Sequence, residues 1–161
     1  MRSSAASDVY KRQQRIITAS CLWVLINVER RRPVALKDNL PEYTIIPERA
    51  LNTEFAKLGE VTRSDVETKF RVRFDDIDLN KHVNNAVYVL WACEAVEPEF
   101  RLRHFPAHIE INFRKEGLIG EKIRVTTACD GEYSHHSIQT YDGDDRELAR
   151  ARICWKELAE I

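Results

Sequence analysis

A chain of 161 residues, 43% hydrophobic and 32% charged, is long enough for about one ordinary globular domain. Its net charge of −1 hides an uneven spread, seven Lys/Arg against two Asp/Glu in residues 1–34 and 18 against 24 in residues 35–161, and the acidic main body argues against nucleic acid as the principal partner. No run of about 18 apolar residues is present to span a membrane, and no small-residue cleavage site closes an apolar core at the start as a secretory signal requires.

In chain order, Met1 to Gln13 has no clear periodicity. Its Ser-Ser-Ala-Ala-Ser-Asp-Val-Tyr-Lys-Arg-Gln run resembles translated adaptor sequence, so residues 1–13 are set aside as a non-native leader and the chain is expected to be a fragment. From Arg15 to Val28 the β-branched and aromatic residues Ile16, Ile17, Thr18, Trp23, Val24 and Ile26 predict one long strand or two with a bulge. The Arg30-Arg31-Arg32-Pro33 cluster that follows reads as a solvated strand end, with an acidic partner as the alternative. Pro33, Pro41 and Pro47 then break up the pattern as far as about Arg63, giving a connector with one short helix near residues 47–57. In Val66 to Phe74, the alternation of Phe70, Val72 and Phe74 with Lys69, Arg71 and Arg73 predicts a strand with one apolar and one basic face.

Ala86 to Val96 is apolar almost all round, with Asn84 or Asn85 as N-cap and Pro98 beyond its end, and such a helix must be enclosed by protein. Strands are expected at Ala107 to Arg114, Glu121 to Cys129, Ser134 to Tyr141 and Glu147 to Leu158. Turn signals at Asp130-Gly131 and Asp142-Gly143 make the last three an antiparallel meander. One enclosed helix followed by an antiparallel sheet is an α+β plan in which the sheet wraps the helix.

Chemistry concentrates in Asp78-Leu79-Asn80-Lys81-His82-Val83-Asn84-Asn85. Were this segment extended, Asp78, Asn80 and His82 would leave one face of the backbone, bringing together a carboxylate, an amide donor and a titratable ring. Hydrolysis needs such a set: a base or nucleophile, a polariser for the carbonyl and a proton carrier. The bland reading is an Asx-type turn ahead of the helix, with His82 satisfied by a backbone carbonyl. A metal site at Asp75, Asp76, Asp78 and His82 is disfavoured because adjacent acids on a strand point to opposite faces. Glu94, inside the apolar helix, reads either as a paired buried acid or as a second functional carboxylate. Trp91 and Tyr88 read as helix packing. His135 and His136, neighbours on a strand, make a poor chelate. The cysteines Cys21, Cys93, Cys129 and Cys154 are dispersed, with no CxxC pair, and are expected as reduced, buried thiols of a cytoplasmic protein.

The element order resembles the hot-dog fold, and Asp78-x-Asn80-x-His82-Val83-Asn84-Asn85 resembles the signature of the second hot-dog unit of acyl-acyl-carrier-protein thioesterases. Ala19-Ser20, Trp23 and Arg31-Arg32-Pro33 resemble the closing strand of that family's first unit, and Ile109 to Glu116 resembles its strand bearing a second active-site carboxylate. The resemblance covers most of the chain from residue 14. It implies that residues 14–34 are the final strand of a truncated first unit, 35–64 a linker and 65–161 a catalytic hot-dog domain. It further implies thioester hydrolysis of fatty acyl-carrier protein (ACP), with Asp78, Asn80, His82 and Glu116 catalytic, Asn84 and Asn85 binding substrate, and no cofactor or metal. Asp78 or Glu116 would orient or deprotonate water, or a carboxylate would attack directly; Asn80 and backbone N–H groups at the start of the helix would hold the oxyanion, and His82 would shuttle a proton. Gly117 stands where some plant members carry a cysteine, which makes a papain-like mechanism implausible. The implied partner is ACP, met by a surface including Arg71, Arg73, Lys81, Arg101, Arg103, Arg114 and Lys115, with a homodimer through the sheet as a further expectation. An acyl-CoA thioesterase and an inactive hot-dog fragment are the alternatives.

Overall fold

The structure is a computed structural model that describes residues 2–30, 32–42, 49–55 and 57–158, with side chains from residue 8. It divides into two compact units, Met1–Ala56 and Lys57–Ile161.

In the first unit, β1 (Arg2–Lys11) pairs antiparallel with β2 (Gln14–Val24). Both residues of the connecting turn, Arg12 and Gln13, have positive φ, 48° and 63°, the backbone twist that two-residue hairpins favour. The segment set aside in sequence is therefore a strand. Its Ser/Ala-rich composition carries no alternation because backbone hydrogen bonds, which any residue but proline supplies, make the pairing. A two-residue pair follows, β3 (Ile26–Asn27) with β4 (Arg32–Pro33). The connector's short helix is α1, Leu36–Asn39. Residues 49–55 and 57 are not helical, which corrects the expected helix near residues 47–57; the rest of that span, residues 47, 48 and 56, and also Arg31 of the basic cluster, lie outside the described residues.

The second unit is a five-stranded antiparallel sheet in the order β5-β7-β8-β9-β6. Its strands are β5 (Val66–Arg71), β6 (His104–Phe113), β7 (Lys122–Asp130), β8 (Tyr133–Thr140) and β9 (Glu147–Glu157). Two helices, α2 (Asn85–Glu94) and α3 (Pro98–Arg103), lie between β5 and β6 in sequence. The meander β7-β8-β9 is as expected, and Gly131, at φ 56°, supplies the left-handed residue of the two-residue turn that pairs Asp130 with Tyr133. Tyr88, Trp91, Ala92 and Cys93 of α2 join one core with Ile123, Val125, Ile138, Leu148, Ala151, Ile153 and Trp155 of the sheet. This is the hot-dog plan.

Three local features differ from expectation. β5 ends at Arg71, because the Asp76 carboxylate accepts from the Arg73 backbone N–H (2.8 Å) and its Nη2 (3.0 Å) and draws Phe74–Asp76 into a 3₁₀ turn. Phe74, expected on the apolar face, is 80% exposed. Helix α2 is not enclosed all round: Ala86, Leu90 and Glu94, spaced at i, i+4 and i+8, face outward. Glu94 is thus an exposed carboxylate, which removes the problem of a buried charge. Of the cysteines only Cys93 is buried, while Cys21 and Cys129 are exposed and Cys154 is intermediate.

Asn84 caps α2 by accepting from the Ala86 N–H at 2.9 Å. Asn84→Ala should cost about 1 kcal/mol of stability, the usual value of an N-cap side chain, read as a lower urea midpoint at unchanged slope. An unchanged midpoint would show that the cap contributes nothing.

Candidate active site

The signature forms a tight turn, not an extended strand. Ile77 bridges Val83 antiparallel, and the Asp78 N–H donates to the His82 carbonyl at 2.9 Å while the Lys81 N–H donates to the Asp78 carbonyl at 3.0 Å. Lys81 takes up the reversal at φ 65°. The Asp78 Oδ1 accepts from the Asn80 N–H at 2.8 Å, the Asx turn offered in sequence as the bland reading. The premise that three side chains share one face through strand geometry is therefore corrected: the local preference of Asp for bonding the backbone two residues on outweighs extension.

The turn still presents His82 to the expected carboxylate. His82 Nε2 lies 3.3 Å from Glu116 Oε2 across 34 positions of sequence, with His82 about one-third exposed and Glu116 about half. The two come together because the Val83 N–H donates to the Gly117 carbonyl at 2.9 Å, locking the end of the turn to the chain leaving β6. Asn80 is exposed beside Asp78.

Two expected roles are altered. The Ala86 N–H is bonded to the Asn84 side chain and the Val87 N–H to the Asn84 carbonyl, both at 2.9 Å. These two N–H groups at the helix start are committed to the cap and are not free to hold an oxyanion. Asn84 likewise spends its side-chain oxygen on the cap, whereas Asn85 is exposed as the first residue of α2. Asp76 is held by Arg73: burial pushes its carboxyl pKa up, but the side-chain and backbone bonds from Arg73 outweigh it and hold the pKa below the usual carboxylate value. It is thereby withdrawn from any cluster with His82.

Beneath the pair, the Gly117 N–H donates to the Tyr88 hydroxyl at 2.9 Å, and Arg146 Nη1 donates to the Glu116 carbonyl at 3.1 Å. Burial pushes the Tyr88 phenol above its ordinary pKa, so it is a neutral hydroxyl. Sequence assigned Tyr88 to packing and gave no sign of Arg146; the one signal available was a polar tip on an otherwise apolar helix. Position 117 has no room to spare: a Cβ there would lie 3.0 Å from the Tyr88 hydroxyl, 3.0 Å from Val83 Cγ2 and 3.2 Å from Leu148 Cδ1.

A cleft of about 550 Å³ is lined by Phe70, Val87, Leu90 and Trp91, with Arg71, Arg73, Asp76 and Glu94 also contributing. The basic residues grouped in sequence do not all act as a free surface. Arg73 holds Asp76, Arg114 pairs with Glu147 at 3.2 Å, and Arg101 stacks over Trp155 at 5.3 Å. No helix among the described residues is long and apolar enough to cross a membrane.

Known proteins resemble this chain over the second unit and part of the first. The family model described as the acyl-ACP thioesterase C-terminal domain matches residues 59–157. A palmitoyl-acyl carrier protein thioesterase of Cuphea hookeriana, a chloroplastic protein, is 26% identical over 86% of this chain and 36% of its own length. A dodecanoyl-acyl-carrier-protein hydrolase of Umbellularia californica, also chloroplastic, is 29% identical over 62% of this chain and 27% of its own length. The chain thus spans about a third of the plant relatives it matches. Among solved structures, the 12:0-ACP thioesterase of Umbellularia californica superposes with a TM-score of 0.74 at 22% identity, over 98% of this chain and 62% of that one. An acyl-ACP thioesterase of Bacteroides thetaiotaomicron gives 0.71 at 16% identity, over 96% and 68%. A Thermus thermophilus thioesterase holding coenzyme A and zinc gives 0.52 at 24% identity, over 61% and 82%. At these identities the structural likenesses establish the fold.

Proposed function

Because this chain belongs to the acyl-ACP thioesterase family, we propose that it hydrolyses the thioester of fatty acyl-ACP, releasing a free fatty acid and ACP. The observation that carries the proposal is the His82–Glu116 contact, an imidazole and a carboxylate at 3.3 Å beside the Asp78–Asn80 turn.

In this mechanism Glu116 orients the imidazole, and His82 takes a proton from the water as its oxygen attacks the thioester carbonyl carbon. The Asn80 amide donates to the oxygen that becomes negative, and Asp78, fixed by its bond to the Asn80 N–H, sets the shape of the turn and orients the water. Collapse of the tetrahedral intermediate breaks the C–S bond, and His82 returns its proton to the departing thiolate. The His82–Glu116 contact and the Asp78 turn exist without substrate, which favours this reading because electrostatic stabilisation contributes most when the groups are fixed in advance. The nucleophile is water, as suits a chain with glycine at position 117.

The proposal places the reaction in the cytoplasm, whereas the plant relatives are chloroplastic. It includes pairing of two copies through the sheet, whose edge strands are β5 and β6. Hydrolysis of matched acyl-ACP and acyl-CoA substrates tests the assignment. Preference for the carrier protein supports it. Preference for CoA moves the chain to the acyl-CoA thioesterases, and no hydrolysis of either by a folded, full-length reconstruction leaves it a hot-dog scaffold.

A further inference from the structure

We infer that Tyr88 and Arg146 are positioning residues that set the His82–Glu116 pair by gripping the two poles of a single peptide group. The Gly117 N–H, given to the Tyr88 hydroxyl, and the Glu116 carbonyl, held by Arg146, belong to the same amide. Its plane rotates about two backbone bonds, one of them the φ of a glycine, the residue least able to hold a backbone orientation by itself. Two side chains from separate elements do that instead, one from α2 and one from the loop leading into β9.

Each grip is itself braced. Tyr88 is 2% exposed, and its ring meets Trp91 at 5.4 Å and Phe113 at 5.6 Å, both edge to face. A second nitrogen of Arg146 donates to the Glu121 carboxylate, whose other oxygen accepts the Leu118 N–H at 2.8 Å. The loop from Glu116 to Glu121 is thereby closed on itself. The next carbonyl along, that of Gly117, receives the Val83 N–H, immediately after His82. Rotation of the Glu116–Gly117 amide would move the Glu116 side chain and this anchor together, and with them the 3.3 Å contact.

The inference rests on the thioesterase reading for its rate measurement but not for its spectroscopic one. In the full chain, the His82 ring resonances, assigned by their loss in His82→Ala, should move in Tyr88→Phe and in Arg146→Met, in the direction seen for Glu116→Gln. The resonances of His136, buried elsewhere in the same unit, should stay in place and so report an intact fold. Where hydrolysis is measurable, kcat should fall about tenfold or more, as misplaced catalytic groups produce, with KM within about twofold. The same substitutions should cost little in the Glu116→Gln background, since a residue acting through Glu116 has nothing left to position. Should Tyr88→Phe fail to fold, Arg146→Met carries the comparison, and slow exchange of the Gly117 amide in the unaltered chain is a check that needs no substitution. Unmoved His82 resonances in a folded variant, or a Gly117 amide exchanging as fast as an open loop, would overturn the inference. A chain without thioesterase activity whose His82 resonances move as expected would instead leave the positioning intact and overturn the proposed reaction.

Discussion

Under the proposed reaction, His82→Ala should lower the rate of acyl-ACP hydrolysis by about 10²–10⁴-fold, the range that one positioned acid–base group contributes. Glu116→Gln should fall in the lower part of that range, because glutamine can still bond the imidazole but cannot stabilise its charged form. Asp78→Asn keeps an acceptor for the Asn80 N–H, so its loss of rate reports the charge of the carboxylate and not the shape of the turn. The measurement is steady-state hydrolysis of one acyl-ACP substrate by the three variants, each confirmed as folded by far-ultraviolet circular dichroism. If His82→Ala kept near-parental turnover, the site would lie elsewhere.

Acid should destabilise the second unit through one buried histidine. Burial pushes the His136 pKa down from 6.5 to about 4, with the neighbouring His135 adding to the effect. Its Nδ1 is 2.9 Å from the Thr127 hydroxyl and its Nε2 is 2.7 Å from that of Ser134, which also accepts from the Trp155 indole at 2.7 Å. One neutral tautomer satisfies both bonds, whereas the imidazolium would carry a charge into the core. Between pH 6.5 and 4 the unfolded chain binds a proton at this residue that the folded chain refuses, so stability falls as pH falls. The loss is about 2 kcal/mol by pH 5 and about 3 kcal/mol by pH 4, where the folded state is half protonated, and it levels off near pH 3 once both states are protonated. Asp76 and Glu147, whose pKa values are lowered in the folded state, give up their contributions only at still lower pH, so the windows separate. Urea unfolding at pH 7, 6 and 5 reads the effect, and equal stability at all three would show that His136 is not excluded from protonation.

The sheet and the helix were legible because their signals are global. Alternation along Lys122–Asp130 survives as alternate burial, and the Asp130-Gly131 pair marks its turn by chemistry that few other residues supply. His82 and Glu116 were legible as members of a family pattern, and the fold brings that pair together. The geometry of the turn was not legible, because spacing of two reads as a strand unless the Asx bond at Asp78 is weighed against it. Nor was the exposure of Glu94 and Leu90, since an apolar composition says how much surface a helix must bury and not which stripe is left uncovered. Arg146 was hidden for a different reason: its partners, Glu116 and Glu121, lie 30 and 25 positions away, and a lone arginine in a charged loop carries no local mark. Tyr88 was assigned to packing correctly for its ring, but its hydroxyl acts at a distance that helical periodicity does not report.

The crowding around Gly117 bears on the routes by which the site can change during descent. With the Tyr88 hydroxyl, Val83 and Leu148 all at 3.0–3.2 Å from where a Cβ would stand, a cysteine arriving first would meet three neighbours at once, each of which would have to give by a few tenths of an ångström. A lineage acquiring a thiol here must shift Tyr88, Val83 and Leu148 with it, and the bond from the Gly117 N–H to the Tyr88 hydroxyl lies in the path of that shift. A lineage losing the thiol faces no such barrier, since removing a side chain leaves space that a tyrosine can enter later. Adding a side chain at 117 thus asks more of its neighbours than removing one would.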